Sequence, residues 1–344
     1  MKRTLNHRRH SGILGVHTGM LWVLVSGYAA PAEVAPPTIL QIDVENTVQY
    51  HEDLSDVSKF ATDPRITTAV VPRDFHAVVI IGDIVAVNGQ PAKGTVTRSV
   101  RTATLTTVPN PGQAIADTVH NGLNVEALEI LSVDGTPIGT IMGLGLGGGA
   151  VPAGVPLTLT GGNLTIVGGT GAFLGARGQE GTGVASQGPP ARQASFVEDP
   201  ANRRTNGGGR VRFVLEVIPM TLPQVVADIG GPLITHADFS PVTTAKPAKP
   251  GEVLIVKATG LGPTVPGVAP GQPFPLDALQ RVNSPVGVSV NGQSAEVVNA
   301  IGWPGQVDTF RVDFRMPNSA VTGMAAIQLT AAWITGAAMG IPVQ

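Results

Sequence analysis

Residues 163–179 read Asn163-Leu164-Thr165-Ile166-Val167-Gly168-Gly169-Thr170-Gly171-Ala172-Phe173-Leu174-Gly175-Ala176-Arg177-Gly178-Gln179. Two readings compete for this stretch. One is the dinucleotide turn of a βαβ unit, in which a helix opens directly after the strand. The spacing Gly168, Gly171, Gly175 is one residue too long at its end for that turn. Gly178, Gly181 and Gly183 then fall where the helix is required, and glycine is a poor helix former. The other reading is a strand, Leu157–Val167, that runs into a tight glycine corner. Such a corner needs positive φ and close backbone approach, which glycine alone gives without cost. The second reading is the consistent one, and nucleotide binding is not expected.

Outward from this corner the chain reads as short strands separated by turns. Ile39–Val44 alternates Leu40, Ile42 and Val44 against Gln41 and Asp43. Phe75–Val87 holds two β-branched runs broken at Gly82-Asp83. Thr95–Val108, Val125–Val133, Ile138–Leu146 and Val211–Ile218 continue the series. Asn88-Gly89 and Asp134-Gly135 are hairpin dipeptides. Val48–Asp63 is polar and reads as a loop with one helical turn. The region Met142–Val155, with Gly143, Gly145, Gly147, Gly148 and Gly149, reads as a flexible turn. About eight strands with no long helix imply a closed barrel or a sandwich.

Pro219–Gly231 marks a boundary. Past it, strands are expected at Glu252–Thr259, Val286–Val290, Ala295–Ala300, Thr309–Met316 and Ala325–Ala332, with a third tight turn at Asn291-Gly292. A segment of this kind fits an immunoglobulin-like sandwich. The expected organisation is an export signal over 1–32, a barrel over 38–219, a linker over 220–234 and the second β domain over 235–344.

Composition agrees. Charged residues are 13% of the 344, about half the usual ~25%, so solvated helical faces are not in prospect. Gly (44) and Pro (29) are spread between apolar runs, as turns are. Cys is 0, which removes disulfides, thiolate nucleophiles and cysteine zinc sites. The net charge of -2 offers no basic field for nucleic acid. At the N-terminus, Lys2, Arg3, Arg8 and Arg9 precede an apolar run from Ile13 to Val25. Small residues follow, with cleavage expected after Ala29 or Ala32. This is the order of a secretory signal. The apolar run is short and impure for a bilayer span. The expectation is a secreted, periplasmic or cell-surface protein with no stable membrane span after cleavage.

Two segments resemble known families. Residues 163–179 resemble the GGTGxFxGARG hallmark of dirigent and allene-oxide-cyclase-like barrels, carried here by Gly168, Gly169, Gly171, Gly175, Arg177 and Gly178. The resemblance implies an eight-stranded antiparallel barrel over roughly Ile39–Ile218, with the hallmark as strand, glycine turn and strand. It implies either a cyclase or stereochemical-guide activity, or a role of unknown kind. A second set, Ala237–Val242, Lys249–Val253, Ala258–Pro263 and Ala331–Ile334, resembles an Ig-like C-terminal domain of secreted acidobacterial proteins. That family implies fold and location but no chemistry.

No catalytic constellation emerges. His7, His10 and His17 are expected to leave with the signal, and among His51, His76, His120 and His236 no two sit at metal-ligand spacing; no serine lies in a nucleophile elbow. His51-Glu52-Asp53 with Asp56 reads as a solvated acidic loop. Neither a metal nor a cofactor is expected. The inward face of a barrel is where a ligand would be held. His76, Arg98, Arg101, His120 and Glu126 fall on or beside strands. Of these, His76, Arg98, His120 and Glu126 are the candidate ligand-binding residues, although an outward polar face is the ordinary expectation for them. Arg192, Arg203, Arg204 and Arg210 read as a solvated basic loop, with acidic polysaccharide as a minor partner. The functional expectation is non-catalytic binding or surface interaction. The partners would be a small apolar ligand, or a polymer of the envelope or exterior, and oligomers are allowed. The alternative is small-molecule chemistry in the barrel cavity.

Overall fold

The computed structural model describes residues 37–51, 75–103, 121–147, 159–183, 191–320 and 322–344. It is all-β. Among the described residues, nine strands make the first sheet: β1 (Thr38–His51), β2 (Phe75–Val87), β3 (Gln90–Ala103), β4 (Asn121–Leu131), β5 (Pro137–Gly147), β6 (Leu159–Gly171), β7 (Arg177–Gly183), β8 (Arg192–Ser195) and β9 (Gly209–Ile218). Eight of them pair antiparallel in the order β2-β3-β4-β5-β6-β7-β9-β1, and β1 pairs again with β2. The ring is therefore closed, and closure removes the exposed strand edges that invite aggregation. β8 lies outside the ring, parallel to the end of β1.

The turns β2–β3, β4–β5 and β6–β7 share one end of the barrel, the base. Asn88 (φ 49) and Gly89 (φ 75) both take positive φ, the conformation a two-residue hairpin turn demands. The Asn88 side chain also accepts from the Gln41 amide at 2.7 Å and donates to the Ile39 carbonyl at 3.2 Å, tying this turn to β1. In the β6–β7 corner Gly171 has φ 63, and a Cβ there would strike the Ile138 carbonyl. Gly178 has φ 139, and a Cβ there would strike the Glu216 carbonyl. Gly169 is pinned against Phe173 and Thr140, and Gly175 (φ 69) against Met220. Gly168 faces open space and Arg177 is exposed, so nothing in the structure demands either of them.

The base is filled with apolar side chains. Leu40, Ile42, Leu128, Ile130, Ile138, Phe173 and Leu215 are buried there. Ala332, Trp333 and Ile334 from the C-terminal region belong to the same core. Trp333 Nε1 donates to Gln90 Oε1 at 2.9 Å, and Asn283 Nδ2 donates to the Pro137 carbonyl at 2.7 Å.

The C-terminal region is a curled sheet. Strand Gln293–Gly302 pairs with Val286–Val290 through its first residues and with Phe310–Arg315 through the rest. It thus carries the sheet from one layer to the next around Leu254, Val256, Phe314, Ile327 and Leu329. The 220–234 stretch is knitted into the sheet: Gln224 and Val225 pair with Thr259 and Ala258. Ala227–Asp228 and Gly231–Pro232 form a small hairpin beside it.

Three local expectations change. β1 continues through Asn46 (φ 49) to His51, because a bulge there restores pairing with β2. β2 runs unbroken through Gly82-Asp83, since Gly82 gives the room that Val44 and Thr47 need beside it. β5 runs to Gly147, as the strand expected at Ile138–Leu146 requires, so the turn reading of Met142–Val155 does not hold for Gly143, Gly145 and Gly147. The arginines are not a free basic loop either. Each is paired: Arg192 with Glu198, Arg203 and Arg204 with Asp83, and Arg210 with Glu45. Of these, the pairs of Arg203 and Arg204 with Asp83 tie the segment after β8 to β2.

Candidate functional site

Above the apolar base, the inward face of the barrel turns polar. On β3 the residues facing in include Val96 and Arg98. On β4 they are Asn124, Glu126, Leu128 and Ile130, and on β7 Glu180. Arg98 and Glu126 are direct cross-strand partners. Arg98 Nε donates to Glu126 Oε2 in a buried ion pair. The Arg98 guanidinium also lies 5.1 Å from the centroid of the Phe213 ring on β9, a cation–π contact that holds its plane in place. Arg98 and Glu126 therefore face inward, against the ordinary expectation of an outward polar face. Arg101, of opposite parity on β3, is exposed.

Glu180 reaches this pair from the other side of the barrel. Its carboxyl passes β6 and rests over the Cα of Gly143 on β5, in space that any side chain at 143 would fill. Glu180 is 1% exposed and Glu126 0%. Apart from the contact between the two carboxyls themselves, both oxygens of Glu180, Oε1 of Glu126 and Nη2 of Arg98 are buried without a hydrogen-bond partner among the described residues. Burial first, and then the negative charge of Glu126, push the Glu180 carboxyl well above the usual carboxylate range, with Arg98 opposing. A Glu180 carboxyl that keeps its proton can donate it to the Glu126 carboxyl beside it. Two carboxylates and one guanidinium would otherwise leave an uncompensated buried charge.

The four candidate residues thus divide. Arg98 and Glu126 come together. His76 lies on β2 opposite Thr102, with its side chain outside the described residues, and His120 lies outside them entirely. The acidic loop after His51 also lies outside them. Glu180 was not singled out by sequence reasoning. The signal that could have found it is a lone carboxylate between Gln179 and Gly181 on a short strand, with an inward Gly143 two strands away. Among the described residues, no three His, Asp or Glu side chains come together as metal ligands. His236, in the C-terminal region, is buried with both ring nitrogens engaged, by Glu252 at 3.1 Å and the Lys246 carbonyl at 3.2 Å. That is the environment of a structural histidine.

The arrangement can recognise a guest by hydrogen bonding in a place water reaches poorly. Beyond the contact of Glu180 with Glu126, three of its carboxyl oxygens and one guanidinium nitrogen have no partner among the described residues. No protein-family model, curated protein or solved structure matches the chain.

Proposed function

We propose that this is a secreted protein of the binding type whose barrel holds a small molecule against Arg98, Glu126 and Glu180. The observation that carries the reading is Glu180, a fully buried carboxyl aimed into the barrel whose oxygens meet no hydrogen-bonding group among the described residues but the Glu126 carboxyl. Buried polar atoms are nearly always satisfied, and leaving one unmade costs about 1–3 kcal/mol. A guest that supplies the missing partners removes that cost. The resemblance of residues 163–179 to dirigent and allene-oxide-cyclase-like barrels supports a container role. The basic and apolar N-terminus supports export. The Ig-like resemblance of the C-terminal region supports an extracellular or periplasmic place.

The test is native mass spectrometry of the full exported chain. A reproducible added mass of small-molecule size, lost on unfolding and lost in Glu180→Leu, is expected. A clean mass for the folded chain, repeated from independent preparations, counts against a ligand container.

A second reading, surface interaction, draws on the outer wall of the same barrel. Leu123, Val125 and Leu144 are exposed there on the adjacent strands β4 and β5, with Val125 and Leu144 directly paired. An oligomer contact or an envelope polymer would cover such a strip.

A further inference from the structure

The reading of the barrel as a container leaves its guest unspecified, and the unpartnered atoms narrow it. Three of them are acceptors: Glu126 Oε1, Glu180 Oε1 and Glu180 Oε2. One is a donor, Arg98 Nη2. The site is thus short of donors. Its formal charge is also one unit negative when both carboxyls are ionised, because Arg98 neutralises only one of them. The same guanidinium is committed to Glu126 through Nε and to the Phe213 face.

We propose that the Glu126–Glu180 pair is the receptor for a protonated primary amine. An ammonium group carries three N–H donors and no acceptor, which matches the three carboxyl oxygens left when Glu180 gives up its proton, and it carries the one positive charge the site then lacks. An alcohol brings one donor, and a carboxylate brings none and adds repulsion. An oxygen acceptor beside the amine would engage Arg98 Nη2. Gly143 makes the geometry available, since any larger residue there would push the Glu180 carboxyl out of position.

In the empty protein the surplus charge is cancelled by the proton that Glu180 keeps. The amine replaces that proton, so binding releases about one proton to solvent when Glu180 is protonated. The groups that face Glu180 can be named strand by strand. β3 and β4 bring Arg98 and Glu126. β5, β6 and β9 bring Gly143, Leu164, Phe213 and Leu215, none of which titrates.

The inference rests on the container reading, and its test separates the two. The full chain is titrated calorimetrically with hexylamine, hexan-1-ol and hexanoate, in two buffers of different ionisation enthalpy. Hexylamine is expected to bind at least about tenfold more tightly than the other two. It is expected to release close to one proton, and to lose at least about tenfold in affinity in Glu180→Gln. Equal binding of hexan-1-ol, or amine binding with no proton release and no effect of Glu180→Gln, overturns the amine assignment and leaves the container intact. Failure of all three probes to bind also overturns the assignment. The container reading then stands or falls on the bound mass alone.

Discussion

Glu180 on β7 occupies the space in which a side chain on Gly143 of β5 would stand. The two residues are not adjacent in the sheet, for β6 lies between them, with Leu164 paired to Glu180. The contact is therefore made across the barrel interior, and it depends on the absence of a Cβ at 143.

Gly143→Ala tests that dependence. The added methyl must displace a buried carboxyl that is hemmed in by Glu126 and Arg98. Overpacking of this kind costs about 1–3 kcal/mol. A lowered urea midpoint with an unchanged slope is expected, and Gly143→Ala/Glu180→Ala should recover most of the loss. If the single variant unfolds at the wild-type midpoint, Glu180 has room to move and the close fit is wrong.

The pH dependence of stability follows from the direction of the Glu180 shift. Its folded-state value is raised above the unfolded value of about 4.3. The folded protein thus holds the proton more tightly than the unfolded chain. That contribution is complete below about 4.3 and is lost as pH rises through the folded value. Glu180→Gln, which stays neutral, removes this component. Chemical denaturation from acid to mildly alkaline pH should show the variant gaining on the wild type as pH rises. Parallel stability curves for the two proteins would show that Glu180 titrates normally.

How much of this was readable in the chain depended on distance along it. The Asn88-Gly89 hairpin and the Gly171–Gly178 corner are local, and their φ requirements are written in a few adjacent residues. Counting such units left a closed barrel or a sandwich, and the resemblance of residues 163–179 favoured the barrel. The facing of Arg98 was not readable in the same way. β3 alternates Thr95, Thr97 and Ser99 with Val96, Arg98 and Val100, so one face has hydroxyls and the other a guanidinium between valines. Neither face is wholly apolar, and parity alone leaves the direction open. Glu180 was harder still, because its meaning lies in Glu126 and Gly143, brought near only when the ring closes. The tie between Trp333 and Gln90 joins residues of separate sheets and leaves no local trace.

Arg98 and Glu126 form a desolvated pair, and such pairs respond asymmetrically to substitution. Arg98→Ala leaves two carboxyls facing each other in the barrel and also strips the Phe213 face. A loss of about 3–5 kcal/mol is expected. Arg98→Met/Glu126→Leu removes both charges and keeps the volume, and should come back to within about 1–2 kcal/mol of wild type. A double-mutant cycle by urea denaturation reads this directly. Additive losses, with no coupling, would mean that solvent screens the pair and that the upper barrel is wet.

Trp333 makes the base of the barrel depend on the C-terminal sheet. It sits at φ 63 next to Ala332 at φ 48, two non-glycine residues in the left-handed region, an arrangement that persists only when surrounding contacts fix it. Those contacts are the barrel core and the Gln90 side chain. Both regions lie within one compact unit, Ala35–Gln344. They should therefore unfold in one calorimetric transition, with calorimetric and van't Hoff enthalpies in agreement. Trp333→Ala removes a large buried side chain, at a cost of about 3–5 kcal/mol, and with it the main link between the two cores. Its melt should be lower and should split in two. Two transitions already present in the wild type would show that Trp333 merely rests on the barrel, and the C-terminal sheet would then have no part in closing its base.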